Sequence, residues 1–223
     1  MLEERNPHLD MFPSFPDFSL RKNEAALLII DMQISSAVWG EGLTANLVDD
    51  VSRYAYWKDR LFLTTKNIAA LLAAFREKGM LVSHTKMESM LEDGKDRSLQ
   101  HKILNIHASP GSREGMFVDS LQPRKGELVF PKTASCPFNS TNIDYVLRNI
   151  GIKQLVVTGI VTNGCVSTTV RNASDLSYEV ILVEDACAAV YEPFHTNEIE
   201  ILKDDYAKIK KTKELLTEIK LFK

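Results

Sequence analysis

The chain has 223 residues, 44% of them hydrophobic and 26% charged, with a formal net charge of −3. Such a length and balance predict one ordinary globular domain with a real core, and no apolar run is long enough to span a bilayer. Lysines and arginines are spread along the chain, which excludes the basic footprint of a nucleic-acid binder, and the three cysteines Cys136, Cys165 and Cys187 form neither a metal-type spacing nor an even disulfide set. With no basic-then-apolar leader pattern at the N-terminus, these features predict a cytoplasmic protein.

Residues 1–23 hold prolines and aromatics (Pro7, Phe12, Pro13, Phe15, Pro16, Phe18) and read as an extended arm laid over a surface. Ala25 to Ile30 is a continuous apolar run closed by Asp31, as expected of a strand buried on both faces. A helix with Tyr54, Tyr56, Trp57 and Phe62 is expected from Val51 to Phe62, and another from Thr65, its N-cap, to Lys78, with Gly79 as the stop. Met80 to His84 reads as the second strand. Glu88 to Lys125 is polar, aperiodic and rich in Gly and Pro, which suits a functional loop or lid. The third strand is expected over Glu127 to Phe130. Ser140 would cap a helix ending at Gly151, and Gln154 to Thr158 is the fourth strand. A helix from Cys165 to about Leu176, a strand over Glu179 to Val183, a helix over Glu192 to Lys203, a short strand over Tyr206 to Ile209 and a terminal helix capped by Thr212 complete the chain.

Strand and helix alternate nearly throughout, which predicts a single α/β domain over residues 1–223 with a parallel sheet between two helical layers. In such sheets functional residues sit just beyond the carboxyl ends of the strands. Asp31, His84, Lys132, Cys165 and Asp185 all occupy such places in the expected scheme. Cys165 adds a special address. At a helix N-terminus a thiol faces unpaired N–H groups and the positive end of the dipole, and both favour thiolate. A carboxylate beside the thiol can act as its base, and a lysine between them would stabilise both anions. Asp31, Lys132 and Cys165 are therefore the candidate catalytic set. Trp39, His84, Phe138 and Asn139 are candidate substrate contacts.

From about Ala25 onward the chain resembles the isochorismatase-like cysteine hydrolase family. The matching pieces are Leu28-Ile-Ile-Asp-Met-Gln33, Phe130-Pro-Lys-Thr133, Thr158-Gly-Ile-Val-Thr-Asn-Gly-Cys-Val166 and Val183-Glu-Asp-Ala186. The resemblance implies a six-stranded parallel sheet flanked by helices, an Asp–Lys–Cys triad at Asp31, Lys132 and Cys165, and a homodimer or homotetramer. It also implies a cis peptide at Ile160–Val161 and an oxyanion site made by the N–H groups of Val161 and Cys165. Asn163 stands where the family often has Asp, and Gly164 occupies a position that varies in the family. Neither change touches the triad.

Within the family, isochorismatases proper typically lack the cysteine. Nicotinamidases bind a metal through Asp-x-His and a further His, a pattern that His84, His101 and His107 do not form here. No metal or other cofactor is therefore expected. Asp93-Gly-Lys-Asp-Arg-Ser-Leu-Gln-His-Lys102 and Phe138-Asn-Ser-Thr-Asn-Ile-Asp-Tyr-Val-Leu-Arg148 resemble the branch acting on ureidoacrylate and carbamoyl compounds. The expectation is a hydrolase of linear C–N amide bonds in a small amide, ureido or carbamoyl compound, working through a thioester. The alternatives are an isochorismatase-type or nicotinamidase-type hydrolase, or a non-catalytic scaffold of the same fold.

Overall fold

A computed structural model of the chain describes residues 7–13, 16–47 and 52–223. Six parallel strands form one sheet in the order β3-β2-β1-β4-β5-β6. They are β1 (Ala25–Ile30), β2 (Leu81–Met87), β3 (Leu128–Lys132), β4 (Gln154–Ile160), β5 (Glu179–Ala188) and β6 (Lys208–Lys210). The main helices are α1 (Ala55–Glu77), α2 (Leu99–Ile103), α3 (Ile143–Ile150), α4 (Ser167–Asp175), α5 (Glu192–Asp205) and α6 (Thr212–Lys220).

Every residue of β1 is buried because the strand lies mid-sheet. Its side chains alternate between faces. Leu27 and Ile29 join one core with Leu61, Ile68, Leu72 and Phe75 of α1 and Leu215 and Ile219 of α6. Ala26, Leu28 and Ile30 join the other, with Leu147 of α3, Val170 of α4 and Leu202 of α5. The result is a three-layer sandwich. The chain builds outward from β1 to β3 on one side and, after β3, from β4 to β6 on the other. The strand order therefore reverses between β1 and β4, the place where open parallel sheets bind their ligands.

Several expected boundaries move. The two helices expected around residues 51–62 and 65–78 are one, α1, and Thr65 lies inside it and caps nothing. Thr64 is fully buried on its inner face. Val51 falls outside the described residues. Trp57 belongs to the chain's own core, and of the four aromatics expected on the first of these helices Phe62 is the strongly exposed one. Ser140 closes a short helix, Pro137–Ser140, and α3 follows Asn142. Gly151, at φ 91°, ends α3 in the left-handed conformation that favours glycine. Tyr206 and Ala207 precede β6. In the arm, His8–Met11 forms a helical turn, Phe18 packs on the core and Leu20 is buried.

β2 runs beyond the expected strand end to Met87, so His84 sits mid-strand, opposite Ile29 and Val129. Its Nε2 points to Glu127 at 3.3 Å, just before β3, and its ring meets Phe117 edge-on. β5 likewise extends to Ala188 and takes Asp185 into the strand. Glu127 accepts from Arg76 Nε at 2.7 Å, Arg76 Nη2 at 2.9 Å and the Arg124 N–H at 2.8 Å. Burial alone would raise its pKa, but these donors outweigh it and hold the carboxyl at about 2, against an ordinary 4.5. A depressed carboxylate contributes stability that is complete above the unfolded pKa and lost as pH falls through the folded one. Glu127→Gln should therefore cost about 2–3 kcal/mol at pH 7. The deficit should shrink below pH 4.5 and vanish near pH 2. Urea unfolding of both proteins across that range checks it, and a deficit independent of pH would contradict the assignment.

Candidate active site

β1 ends at Ile30, and Asp31 then takes φ 53°. Few residues other than glycine adopt this left-handed conformation, although Asp tolerates it better than most. Three contacts hold it. Its N–H donates to the Thr85 carbonyl at 3.2 Å, Ser36 Oγ donates to its carbonyl at 3.0 Å, and Thr85 Oγ1 donates to Oδ1 at 2.9 Å. Thr85 is opposite Ile30 in the β1–β2 register, so the unexpected extension of β2 supplies this partner.

Lys132 is the last residue of β3 and is fully buried. Its Nζ lies 2.8 Å from Asp31 Oδ2, 3.3 Å from Cys165 Sγ and 3.0 Å from the Ala134 carbonyl that it donates to. Burial by itself favours the neutral amine, but Asp31 and Cys165 outweigh it and raise the lysine pKa. The side chain is thus a fixed ammonium between two groups that carry negative charge in turn.

β4 runs to Ile160, and the Ile160–Val161 peptide is cis. Gly159 has φ 115°, and a Cβ there would lie 2.1 Å from the Ile30 carbonyl oxygen. Only glycine allows β4 to approach β1 this closely beside Asp31. A turn over Thr162–Val166 follows, kinked at Gly164, and α4 begins at Ser167. Cys165 is therefore in the turn ahead of the helix, buried at 8% exposure. The expected resting thiolate is not what this environment favours. Burial foremost, with Asp31 adding to it and Lys132 opposing, pushes the thiol up to about 12. This balance favours a resting thiol, which needs a base at the moment of attack.

The residues proposed as substrate contacts have other neighbours. Trp39 packs half-buried on the core with its ring 6.0 Å from that of Tyr54. Phe138 meets the Tyr178 ring at 5.8 Å, and Asn139 is exposed. His84 turns to Glu127. Among the described residues no group of three or more His, Cys, Asp or Glu side chains is placed to hold a metal ion.

The long loop after β2 is more ordered than its composition suggested. Gln33, fully buried, donates from Nε2 to the carbonyls of Met87 at 3.0 Å and Gly115 at 3.2 Å, and accepts from the Met87 N–H at 2.6 Å. Near Asp31 in sequence, it ties the start of the loop to Gly115. Inside the loop, Arg97 donates to the Gly94 and Ile106 carbonyls. α2 brings His101 to within 3.3 Å of Ser135 Oγ. Burial first, then the charge of Lys132, pushes His101 down to about 4, so it faces the site as a neutral ring. Gln33 was readable, since it directly follows Asp31-Met; His101 lies in the Asp93–Lys102 segment that resembles the ureidoacrylate branch, but nothing within that segment singled it out.

An isochorismatase domain model matches residues 25–214. The chain is 32% identical over 197 residues to a ureidoacrylate amidohydrolase RutB of Variovorax paradoxus, covering 81% of this chain and 75% of that one. Among solved structures it resembles an isochorismatase family protein from Desulfovibrio vulgaris, with TM-score 0.73, 27% identity and coverage of 86% and 96% of the two chains. It also resembles an N-carbamoylsarcosine amidase from Thermoplasma acidophilum, with TM-score 0.66, 25% identity and coverage of 85% and 96%.

Proposed function

The chain belongs to the isochorismatase family, and on that premise we propose that it is a cysteine-dependent amidohydrolase of small ureido or carbamoyl compounds. The observation that carries the reading is the position of Lys132 Nζ, 2.8 Å from the Asp31 carboxylate and 3.3 Å from Cys165 Sγ. Nucleophile, cation and base stand together at the point where the strand order reverses. The substrate class rests on the names of two relatives, one acting on ureidoacrylate and one on N-carbamoylsarcosine.

Asp31 takes the proton from Cys165 as the sulfur attacks the substrate carbonyl carbon. Charge moves from carboxylate to sulfur and then to the carbonyl oxygen, while Lys132 stays protonated beside the first two. The N–H groups of Val161 and Cys165 receive the oxyanion. Donors of this kind are each worth about 3 kcal/mol in the transition state. The tetrahedral intermediate then expels the nitrogen, which takes its proton from Asp31 and leaves as ammonia or an amine. Water, deprotonated by the same carboxylate, attacks the thioester and restores the thiol.

The test is a substrate panel of ureido acids, carbamoyl amines, simple primary amides and nicotinamide, read by ammonia release and by intact mass after acid quench. The expected result is ammonia from a ureido or carbamoyl member and an acyl adduct on the peptide carrying Cys165. Ammonia from nicotinamide alone would overturn the substrate class, and ammonia from no member would overturn the amidohydrolase reading.

A further inference from the structure

The mechanism leaves unused a buried histidine far from the triad in sequence. His195, in the first turns of α5, is 5% exposed. Its Nδ1 lies 2.8 Å from Thr162 Oγ1, and its Nε2 lies 2.7 Å from Arg60 Nη2. A guanidinium only donates, so Nε2 must be the acceptor and the ring is the neutral tautomer with its proton on Nδ1. That proton is donated to the Thr162 hydroxyl. Burial, helped by the charge of Arg60, holds the imidazole pKa at about 4, which keeps this tautomer in place at neutral pH.

Both ends of this chain of hydrogen bonds are anchored. Arg60, on α1, also donates from Nε to the Cys187 carbonyl at 2.9 Å and from Nη2 to the Glu184 carbonyl at 2.6 Å. These carbonyls lie where the β4–β5 register shifts, between the pairs Val157–Leu182 and Gly159–Cys187. Asn67, further along α1, donates to the Asp185 carbonyl at 2.6 Å in the same stretch. The irregular part of β5 is thereby fixed to α1. At the other end, Thr162 is fully buried in the turn that carries Val161 on one side and Cys165 on the other.

We propose that His195 is a positioning residue for the oxyanion donors: held by Arg60, it fixes Thr162 and through it the Val161–Cys165 turn. Asp31 and Lys132 do not depend on this contact, because they come from β1 and β3, so the two groups that set the charge on the thiol keep their places. The prediction is therefore selective. Loss of the His195–Thr162 bond should weaken acyl transfer, which builds an oxyanion, and spare simple alkylation, which does not.

The inference rests on the reading of Cys165 as nucleophile, and the experiment separates the two. Two reactions of Cys165 are compared in the full-length protein at pH 9. In both, the thiol proton passes to Asp31; with p-nitrophenyl acetate the sulfur then forms a bond to the acetyl carbon, and p-nitrophenolate leaves with the electron pair of the broken C–O bond. With iodoacetamide the sulfur displaces iodide directly. Both are followed by the mass of the peptide carrying Cys165. His195→Ala and Thr162→Val should each slow acetylation about tenfold or more, and the double variant no further. Alkylation should stay within about twofold of wild type in all three. His195→Asn, whose amide places a donor near the Nδ1 position, should recover most of the acetylation rate. Thr162→Val keeps the side-chain shape, so the test survives a misfolded His195→Ala.

Equal loss in both reactions, losses that multiply in the double variant, or unchanged acetylation would each overturn the assignment. A wild-type protein that p-nitrophenyl acetate never acetylates at Cys165 would sink the nucleophile reading and this inference together. If acetylation follows the expected pattern while no ureido or carbamoyl compound releases ammonia, the positioning role stands and only the substrate class falls.

Discussion

Cys165→Ala is expected to lower ammonia release by about 10⁴-fold or more, because among the described residues Cys165 is the thiol that stands beside Lys132. The same change should leave the fold nearly intact. Cys165 packs among Val166, Val170 and Phe130, and alanine removes one sulfur atom from that cluster. The cost should be about 1 kcal/mol, a shift of a few degrees in melting temperature. Cys136 and Cys187 serve as internal controls. Both are buried, and burial raises both thiols, Cys187 to about 12; among the described residues the hydrogen-bond and ion-pair partners of Lys132 are Ala134, Cys165 and Asp31. Alanine at either position should leave turnover within about threefold of wild type. Steady-state ammonia release paired with thermal unfolding decides the matter. A Cys165→Ala protein that keeps more than about a hundredth of the wild-type rate would remove the thiol from the mechanism.

The meeting of Asp31, Lys132 and Cys165 was legible because each lies at or shortly beyond the end of an apolar run, and buried runs in an alternating chain mark the strand ends of a parallel sheet. Asp31 and Lys132 needed only that rule. Cys165 needed the further expectation of a helix N-terminus, and the helix begins two residues later, at Ser167. The same rule failed at His84 and Asp185. Thr85, Lys86, Glu184 and Asp185 are polar and read as loop, yet ladder pairing carries both strands past them. Hydrophobicity locates where a strand is buried, whereas backbone hydrogen bonding decides where it stops. Thr64-Thr65 misled in a similar way. Two threonines look like a cap, but Thr64 is on the inner face of a continuous helix. The contacts at Arg60 and His195 were out of reach for another reason. They join residues 135 apart in sequence, and neither lies in a periodic pattern that would predict the meeting.

The charge arrangement at the triad yields a less obvious result, in which one substitution moves two rates in opposite directions. Asp31→Asn removes the base and should lower turnover by about 10³-fold. It also removes one of the two influences that raise the Cys165 pKa, while the buried ammonium of Lys132 remains to stabilise thiolate. Below the thiol pKa, each unit by which that pKa falls raises the thiolate fraction about tenfold and gives back about threefold in intrinsic nucleophilicity, a net gain of about threefold. Alkylation of Cys165 by iodoacetamide should therefore be faster in Asp31→Asn than in wild type, by about threefold or more, at every pH from 7 to 9. The sign follows from wild type starting as a thiol with a pKa of about 12, well above that window. The variant loses a buried ion pair and should be less stable by about 3 kcal/mol, so unfolding must be told apart from activation. It can be, because an unfolded chain would also expose Cys136 and Cys187, whereas activation labels Cys165 alone. Alkylation of Cys165 that slows in Asp31→Asn would mean that the carboxylate already holds the thiol proton in the resting enzyme, and that the pair works as a preformed thiolate beside a neutral acid.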